Sequence, residues 1–397
     1  MNEHETNDFG SASCICQSCG FEINIRGVPP FSTVKCGNCG AELLIPLIVG
    51  HLQIERPVAS IPCAGIFLGY DLMADKDVSV CLLEKGVTAP PDWLEQVLAQ
   101  AAAISKLSHP NIVPLTEYGF LEGEFIATSP TLKGASLSKY DPILNGPFKI
   151  NSIMELMKTV AEAMAEAHRQ GIVHHDLSPA SIFIDESRTT WIRDFLPSVL
   201  RYQYERWLGE PSGVSPFYIS PEKAMGEPEA DKGDVFSFGV MFYYLLTGRY
   251  PFQDENEDVT IYSRILAGDP LAPASSPYQV LVNPCKIEYR KPIAIRELRP
   301  KIQPELDELI LRTIAPSAMD RPSFCEIQQL LSALIAAAQA IEQEALQEGL
   351  KMVETKKKMI GLTDTRSIPI MKNLAVDAMF AMPPSTKAKI TKKGLKK

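Results

Sequence analysis

The chain has 397 residues, about two to three times the roughly 100–200 expected of one domain. Apolar residues make up 45% and charged residues 22%, near the globular average, which excludes wholesale disorder and a fibrous repeat. The net charge of −9 hides an asymmetry: residues 351–397 carry 12 Lys/Arg against 3 Asp/Glu, and the first 350 carry 27 against 45. So acidic a body argues against a nucleic-acid reader.

The first ten residues are polar and acidic and do not read as a secretory signal. No apolar run in the sequence approaches the roughly 20 residues that cross a bilayer. The expectation is a cytoplasmic protein with no transmembrane segment and a disordered stretch over residues 1–13.

Nine cysteines follow. Four of them form two matched pairs, Cys16-Gln-Ser-Cys19-Gly and Cys36-Gly-Asn-Cys39-Gly, with sixteen residues between. That spacing is a zinc signal. Each knuckle turns two thiolates toward one ion, and the glycine after it lets the backbone fold around the sulfurs. Four sulfurs complete a tetrahedron, so the site is structural and closed to water. Cys14 competes as a ligand, but the glycine-bearing knuckle favours Cys16. A disulfide-stapled minidomain is the alternative, and a reducing compartment disfavours it. Residues 14–46 resemble a zinc ribbon. Too short to bury a core of its own, it would draw its folding energy from Zn²⁺. Only Arg26 and Lys35 supply positive charge there, which favours a protein-facing or spacer role.

From about residue 52 the pattern changes. Short β-type runs come at Ile66–Leu72, Val78–Leu83 and Phe125–Thr128, with a helix between them near Asp92–Leu107. Then helices dominate. Ile153, Leu156, Met157, Val160 and Met164 repeat at helical spacing and make one buried face. Val235–Leu246 is apolar nearly all round, which places that helix inside the domain. A small β-rich part followed by a larger helical part is an α+β fold of two lobes, 52–129 and 134–335.

Within this frame six short motifs occur in order: His109-Pro110-Asn111-Ile112-Val113; His174-His175-Asp176-Leu177-Ser178-Pro179-Ala180-Ser181; Asp194-Phe195-Leu196; Tyr218-Ile219-Ser220-Pro221-Glu222; Asp234-Val235-Phe236-Ser237-Phe238-Gly239; and Asp320-Arg321-Pro322-Ser323. Together they make the region from about 55 to 335 resemble the eukaryotic-type Ser/Thr protein kinase fold. The resemblance implies scaffold roles for several residues. His174 and Phe195 match packing residues of a hydrophobic spine, and Ile104 extends the stack. Asp234 matches its anchor. Glu222 and Arg321 match a buried ion pair that ties the activation segment to the helical lobe.

The chemistry the family needs is poorly kept. Phosphoryl transfer requires phosphates to be positioned and their charge neutralised. The expected glycine-rich loop reads Ala59-Ser60-Ile61-Pro62-Cys63-Ala64, and Pro62 removes an amide donor. Ile66 and Cys81 fall at cofactor-facing strand positions. Cys81 stands where the resemblance implies a phosphate-binding lysine, and Gln100 where it implies that lysine's glutamate partner. Lys85, four residues beyond Cys81, is a candidate to replace the missing charge. In the catalytic loop Asp176 matches the base, Ser178 replaces a helper lysine, and Ser181 replaces a metal-binding asparagine. His175 replaces an arginine. Asp194 matches the main Mg²⁺ carboxylate, but Leu196 replaces the glycine two places on.

The remaining readings concern surfaces. Ser198, Tyr202, Tyr204, Ser212 and Ser215 are phosphorylation candidates. Residues 269–304 read as an enlarged proline-rich loop. Ile327, Leu331, Leu334, Ala338, Ile341 and Ala345 form a short heptad-like stripe that packs on its own domain or on a partner. A helical extension covers 336–355. The basic tail, 356–397, reads as disordered, with six lysines in its last eleven residues as a candidate contact for nucleic acid or anionic lipid. The reading of the whole is a pseudokinase acting as a signalling or scaffolding module through protein partners, with Zn²⁺ structural and ATP and Mg²⁺ use impaired. Two alternatives stand beside it: an active but atypical Ser/Thr kinase, and a nucleic-acid-associated factor.

Overall fold

In a computed structural model of the chain, the described residues are 13–16, 18–208, 216–224, 227–252 and 292–360, the last few as helix backbone alone. Contacts divide the chain into two compact units, Met1–Ala336 and Ala337–Lys397.

The first unit opens with two antiparallel hairpins, β1 (Ser13–Ile15) with β2 (Glu22–Asn24), and β3 (Thr33–Lys35) with β4 (Glu42–Leu44). Each is closed by a cysteine knuckle. The Cys16 carbonyl accepts from Gly20 N and the Cys36 carbonyl from Gly40 N, both at 2.8 Å. Gly20 and Gly40 sit at φ +71° and +73°, a left-handed conformation that a side chain would strain.

Six antiparallel strands form the next sheet, in the order β5 (Leu47–Val49), β6 (Leu52–Ile61), β7 (Ala64–Asp71), β8 (Lys76–Leu83), β10 (Glu124–Pro130), β9 (Glu117–Leu121). Strand alternation gives the sheet two buried faces. Val49, Leu52, Ile54, Val78, Val80 and Ile126 form a cluster on one, joined by Phe31 from the cysteine hairpins. The Phe31 ring stacks on Phe67 of β7 at 5.2 Å. On the other, Ala64, Cys81, Phe125 and Ala127 belong to the main core. There the helix α1 (Trp93–Ile104) buries Trp93, Val97, Ala101 and Ile104, a stripe at helical spacing.

The larger part begins with β11 (Gly134–Ser136), which pairs with β12 (Ile182–Asp185) and through it β13 (Thr190–Ile192). Its helices are α2 (Pro142–Asn145), α3 (Ile150–Arg169), α4 (Phe195–Leu208), α5 (Pro221–Ala224), α6 (Asp231–Thr247), α7 (Ile295–Leu298), α8 (Pro304–Thr313) and α9 (Phe324–Ile360). The apolar stripe of α3 lies in the core, and α6 is buried on nearly every side. The close approach of α6 to α8 depends on Gly239: a Cβ there would lie 2.0 Å from Thr313 Oγ1.

One expectation needs correction. Ala318–Glu348 holds a stretch apolar and long enough to cross a membrane, with mean hydropathy 1.4. That statement concerns length and composition alone. Phe324, Ile327, Leu331 and Ile335 of α9 are buried in the core of the first unit, so the first half of the heptad-like stripe serves its own domain. In the second unit the α9 side chains Ile341, Leu346 and Met352 are exposed. The expected loop at 269–304 lies largely outside the described residues, as does the lysine-rich tail beyond residue 360.

Candidate functional site: a cleft between sheet and helices

A cleft of about 360 Å³ opens between the sheet and the helical part. Its roof comes from β6 and β7, including Ala59, Ile66 and Leu68, and its back wall from Cys81, Ile104 and Ala127. Asp176, Phe183, Asp194 and Arg201 line the opposite side. Thus Ile66, Cys81, Asp176 and Asp194 meet in one place. Register explains two of them: Cys81 lies opposite Ile66 on β7 and Ala127 on β10.

Gln100, Lys85 and Ser181 are not among the lining residues. Gln100 is half-buried on α1. Lys85 points elsewhere, into a 2.7 Å ion pair with Glu124. Ser181 is consumed by its own turn: its Oγ donates to the Ser178 carbonyl at 2.9 Å and accepts from the Ser178 amide at 3.1 Å. Cys81 is a neutral thiol, since burial pushes its pKa up and the nearby Cys63 and Asp194 push the same way.

The segment after Asp194 departs from a loop. Asp194 sits at φ +70°, a left-handed kink that few non-glycine residues adopt. Its carbonyl then accepts from Ser198 N at 3.0 Å, so α4 begins at once and Leu196 is helical. The glycine expected at 196 is unnecessary because the reversal is made two residues earlier.

Helix α4 lays charged and aromatic groups across the catalytic loop. Arg201 Nη2 stands 2.5 Å from Asp176 Oδ2, and Arg201 Nε stands 3.6 Å from Glu205. Arg193 Nε stands 3.1 Å from Asp194 Oδ2. Tyr202 stacks flat on His175 at 3.8 Å, while Trp93 of α1 packs on Tyr204 at 5.9 Å. Asp194 lines the cleft with its side chain 40% exposed. Desolvation by the surrounding protein raises its carboxyl pKa, and the Arg193 charge works against that. Of the phosphorylation candidates, Ser198 and Tyr204 are buried. Ser212 and Ser215 lie outside the described residues.

Beneath the cleft a buried polar network fixes the loop. Asp234 accepts from the amides of His174 and His175 at 2.7 and 2.9 Å and meets His168 Nε2 at 2.9 Å. Burial opposes its charge, but the His168 hydrogen bond and the surrounding histidines hold its pKa down to about 2. His174 bonds the Arg193 carbonyl at 2.9 Å and packs on Phe195 at 4.7 Å. Glu229 sits between Lys223 at 3.3 Å and His175 at 3.2 Å and accepts from Ser220 Oγ at 3.0 Å. Glu222 and Arg321 form a two-pronged ion pair at 2.7 and 2.8 Å.

The second site is the cysteine cluster. The sulfurs of Cys16, Cys19, Cys36 and Cys39 all lie within 4.8 Å of one another. Cys16 and Cys39 are 3.6 Å apart, and Cys19 and Cys36 3.7 Å. Tetrahedral Zn–S bonds of about 2.3 Å place sulfurs about 3.8 Å apart, so the four thiols fit a zinc ion. It is the one such metal-ligating group among the described residues. The cleft fits Mg²⁺ poorly, because both of its carboxylates already face guanidinium groups.

Sequence reasoning missed Arg193 and Arg201, which bring the cleft its positive charge. The signal was present. Leu196, Val199, Leu200, Tyr204 and Trp207 recur at three- and four-residue spacing, which reads as a helix, and Arg201 and Glu205 form an i, i+4 pair on it.

Residues 66–331 match the family model described as Protein kinase domain. The chain is 28% identical over 235 residues to serine/threonine-protein kinase PrkC of Bacillus subtilis, covering 58% of this chain and 35% of that protein. Against serine/threonine-protein kinase Pkn1 of Myxococcus xanthus it is 24% identical over 367 residues, covering 89% and 48%. It therefore spans about half or less of the length of these relatives. Among solved structures, the Mycobacterium tuberculosis PknI kinase domain superposes with a TM-score of 0.52 at 17% identity, covering 74% of this chain and 98% of that one. At that identity the likeness concerns the fold.

Proposed function

The chain belongs to the protein kinase family, and we propose that within it the domain works as a pseudokinase: a kinase-shaped signalling or scaffolding module that does not transfer phosphate efficiently. The observation that carries this reading is the contact of Arg201 with Asp176 at 2.5 Å. The candidate base faces a guanidinium of its own chain, an ion pair by distance in which Arg201 Nη2 makes no hydrogen bond. Cys81 adds to it by leaving no lysine at the back of the cleft. Each lost charged stabiliser costs a few kcal/mol of barrier, and several together bring turnover toward background. Zn²⁺ in the cysteine cluster serves structure, and its four thiolates suit a reducing cytoplasm.

The test is phosphate incorporation from radiolabelled ATP with Mg²⁺ or Mn²⁺, wild type beside Asp194→Ala. The expected result is no difference above background. Incorporation that vanishes in the variant overturns the reading in favour of an atypical active kinase, the role that retained Asp176 and Asp194 would support.

A further inference from the structure

The four sulfurs that fit zinc differ in their access to solvent. Cys16 and Cys36 are buried, whereas Cys19 and Cys39 are exposed. Each knuckle therefore turns its second cysteine outward. The neighbours are crossed: exposed Cys39 stands 3.6 Å from buried Cys16 of the other knuckle, and exposed Cys19 stands 3.7 Å from buried Cys36. A thiol that binds zinc is held as its thiolate, which is the form that oxidants attack. An accessible thiolate with a second cysteine beside it is the usual arrangement of a redox-sensing pair, and the cluster holds two.

The other cysteines among the described residues lack that combination. Cys63 and Cys81 are buried in the main core, and burial pushes both thiols up. Cys325 is exposed, but its sulfur faces Gln329 Nε2 at 3.7 Å. Cys14 is half-buried on β1 and serves below as a control.

We propose that the cysteine cluster is a peroxide-responsive switch in which oxidation exchanges the zinc ion for two disulfides, Cys16–Cys39 and Cys19–Cys36, each joining one hairpin to the other. The four thiolates give up four electrons to two molecules of hydrogen peroxide. Both O–O bonds break, four protons are taken up, four waters leave, two S–S bonds form and Zn²⁺ is set free. A dithiol reductant returns the electrons. Because both disulfides run between the hairpins, they replace the tie that the metal made. Phe31 lies between the hairpins in the chain, and its amide donates to the Ile45 carbonyl at 2.7 Å, so it keeps its place on Phe67. The metal content changes and the ribbon stays docked on the sheet. None of this depends on whether the cleft transfers phosphate.

The experiment titrates the full zinc-loaded chain with hydrogen peroxide while a chromogenic chelator reads released zinc. Free thiols are then alkylated in denaturant and the chain is cut with trypsin for mass spectrometry. Cleavage after Arg26 and Lys35 separates the two knuckles. Disulfides between hairpins leave those fragments joined, and disulfides within a knuckle leave them apart. Fragmentation between Cys16 and Cys19, and between Cys36 and Cys39, assigns each bond. One zinc should be released for about two peroxides, with the fragments joined in the proposed pairs and Cys63 and Cys81 recovered as free thiols. Dithiothreitol with Zn²⁺ should reverse the change, and hydrogen exchange of β7 should be alike before and after oxidation. Cys14→Ser should alter none of these results. Disulfides within a knuckle, Cys16 paired with Cys36, or a joined product that disappears in Cys14→Ser overturns the proposal. So does zinc retained once Cys325 is fully oxidised, release that dithiothreitol does not reverse, or loss of β7 protection on oxidation.

Discussion

Arg321 is a fully hydrogen-bonded buried side chain, and removing its counter-ion should be correspondingly costly. All five guanidinium donors have acceptors. Nε donates to the Ala315 carbonyl at 2.8 Å, Nη1 to Glu222 and the Lys232 carbonyl at 2.7 and 2.9 Å, and Nη2 to Glu222 and the Pro316 carbonyl at 2.8 and 3.0 Å. The Arg321 side chain is 0% exposed, with the Phe236 ring 4.9 Å from its carbon. In Glu222→Ala three carbonyls remain but the only carboxylate is gone, which strands a buried charge and costs about 3–5 kcal/mol. That is a large share of the 5–15 kcal/mol by which a typical domain is stable. Arg321→Ala should cost a similar amount. The double variant should cost about 1–3 kcal/mol less than the sum, because the second change removes the charge that the first left unpaired. Urea unfolding measures all three, and raising the salt should change the result little, since a buried pair is weakly screened. A cost below about 1 kcal/mol for Glu222→Ala, or strict additivity, would refute the argument.

Elemental analysis should find one zinc per chain, and Cys36→Ser should lose it along with protection of the Phe31–Phe67 contact in hydrogen exchange. The Asp234 carboxyl titrates near 2 when folded against an ordinary 3.8, a depressed value, so its contribution of roughly 2 kcal/mol is complete above about pH 4. It is lost as pH falls toward 2, and Asp234→Asn should flatten that acid limb of the stability profile. Gly239→Ala should lower the melting temperature by several degrees, because its methyl group would strike Thr313 and Ile314 and force α6 from α8. Cys81→Lys alone should leave phosphate transfer at background, since Arg201 still holds Asp176; recovered activity would count against that pairing as the block.

The fold was legible because its signals are local and periodic. The alternation in β7 and β8, the stripe of α3 and the apolar α6 can each be read within a short window. The zinc site was legible for the same reason, with two knuckles of fixed spacing. The cleft was legible only on one side. Cys81 and the glycine-poor hairpin are positions where an expected residue is absent, and a sequence displays absences plainly. Arg201 is an addition, and its meaning depends on α4 replacing a loop and crossing back over Asp176. Nothing within a short window fixes that crossing. It is set by Tyr202 on His175 and Tyr204 on Trp93, contacts between residues 27 and 111 positions apart. Expecting a cleft without cations left Arg193 and Arg201 out of account.

Charge pairing gives the cleft one internal logic. Cys81 and Gln100 stand where the family resemblance implies a lysine and its glutamate partner, and as neutral residues they leave neither an unpaired ammonium nor an unpaired carboxylate. Where a carboxylate is kept, a guanidinium stands against it, Arg201 at Asp176 and Arg193 at Asp194. Buried charges without partners are destabilising, so a cleft that relied on Mg²⁺ would be under electrostatic strain whenever the metal left. Here the chain supplies both counter-charges covalently.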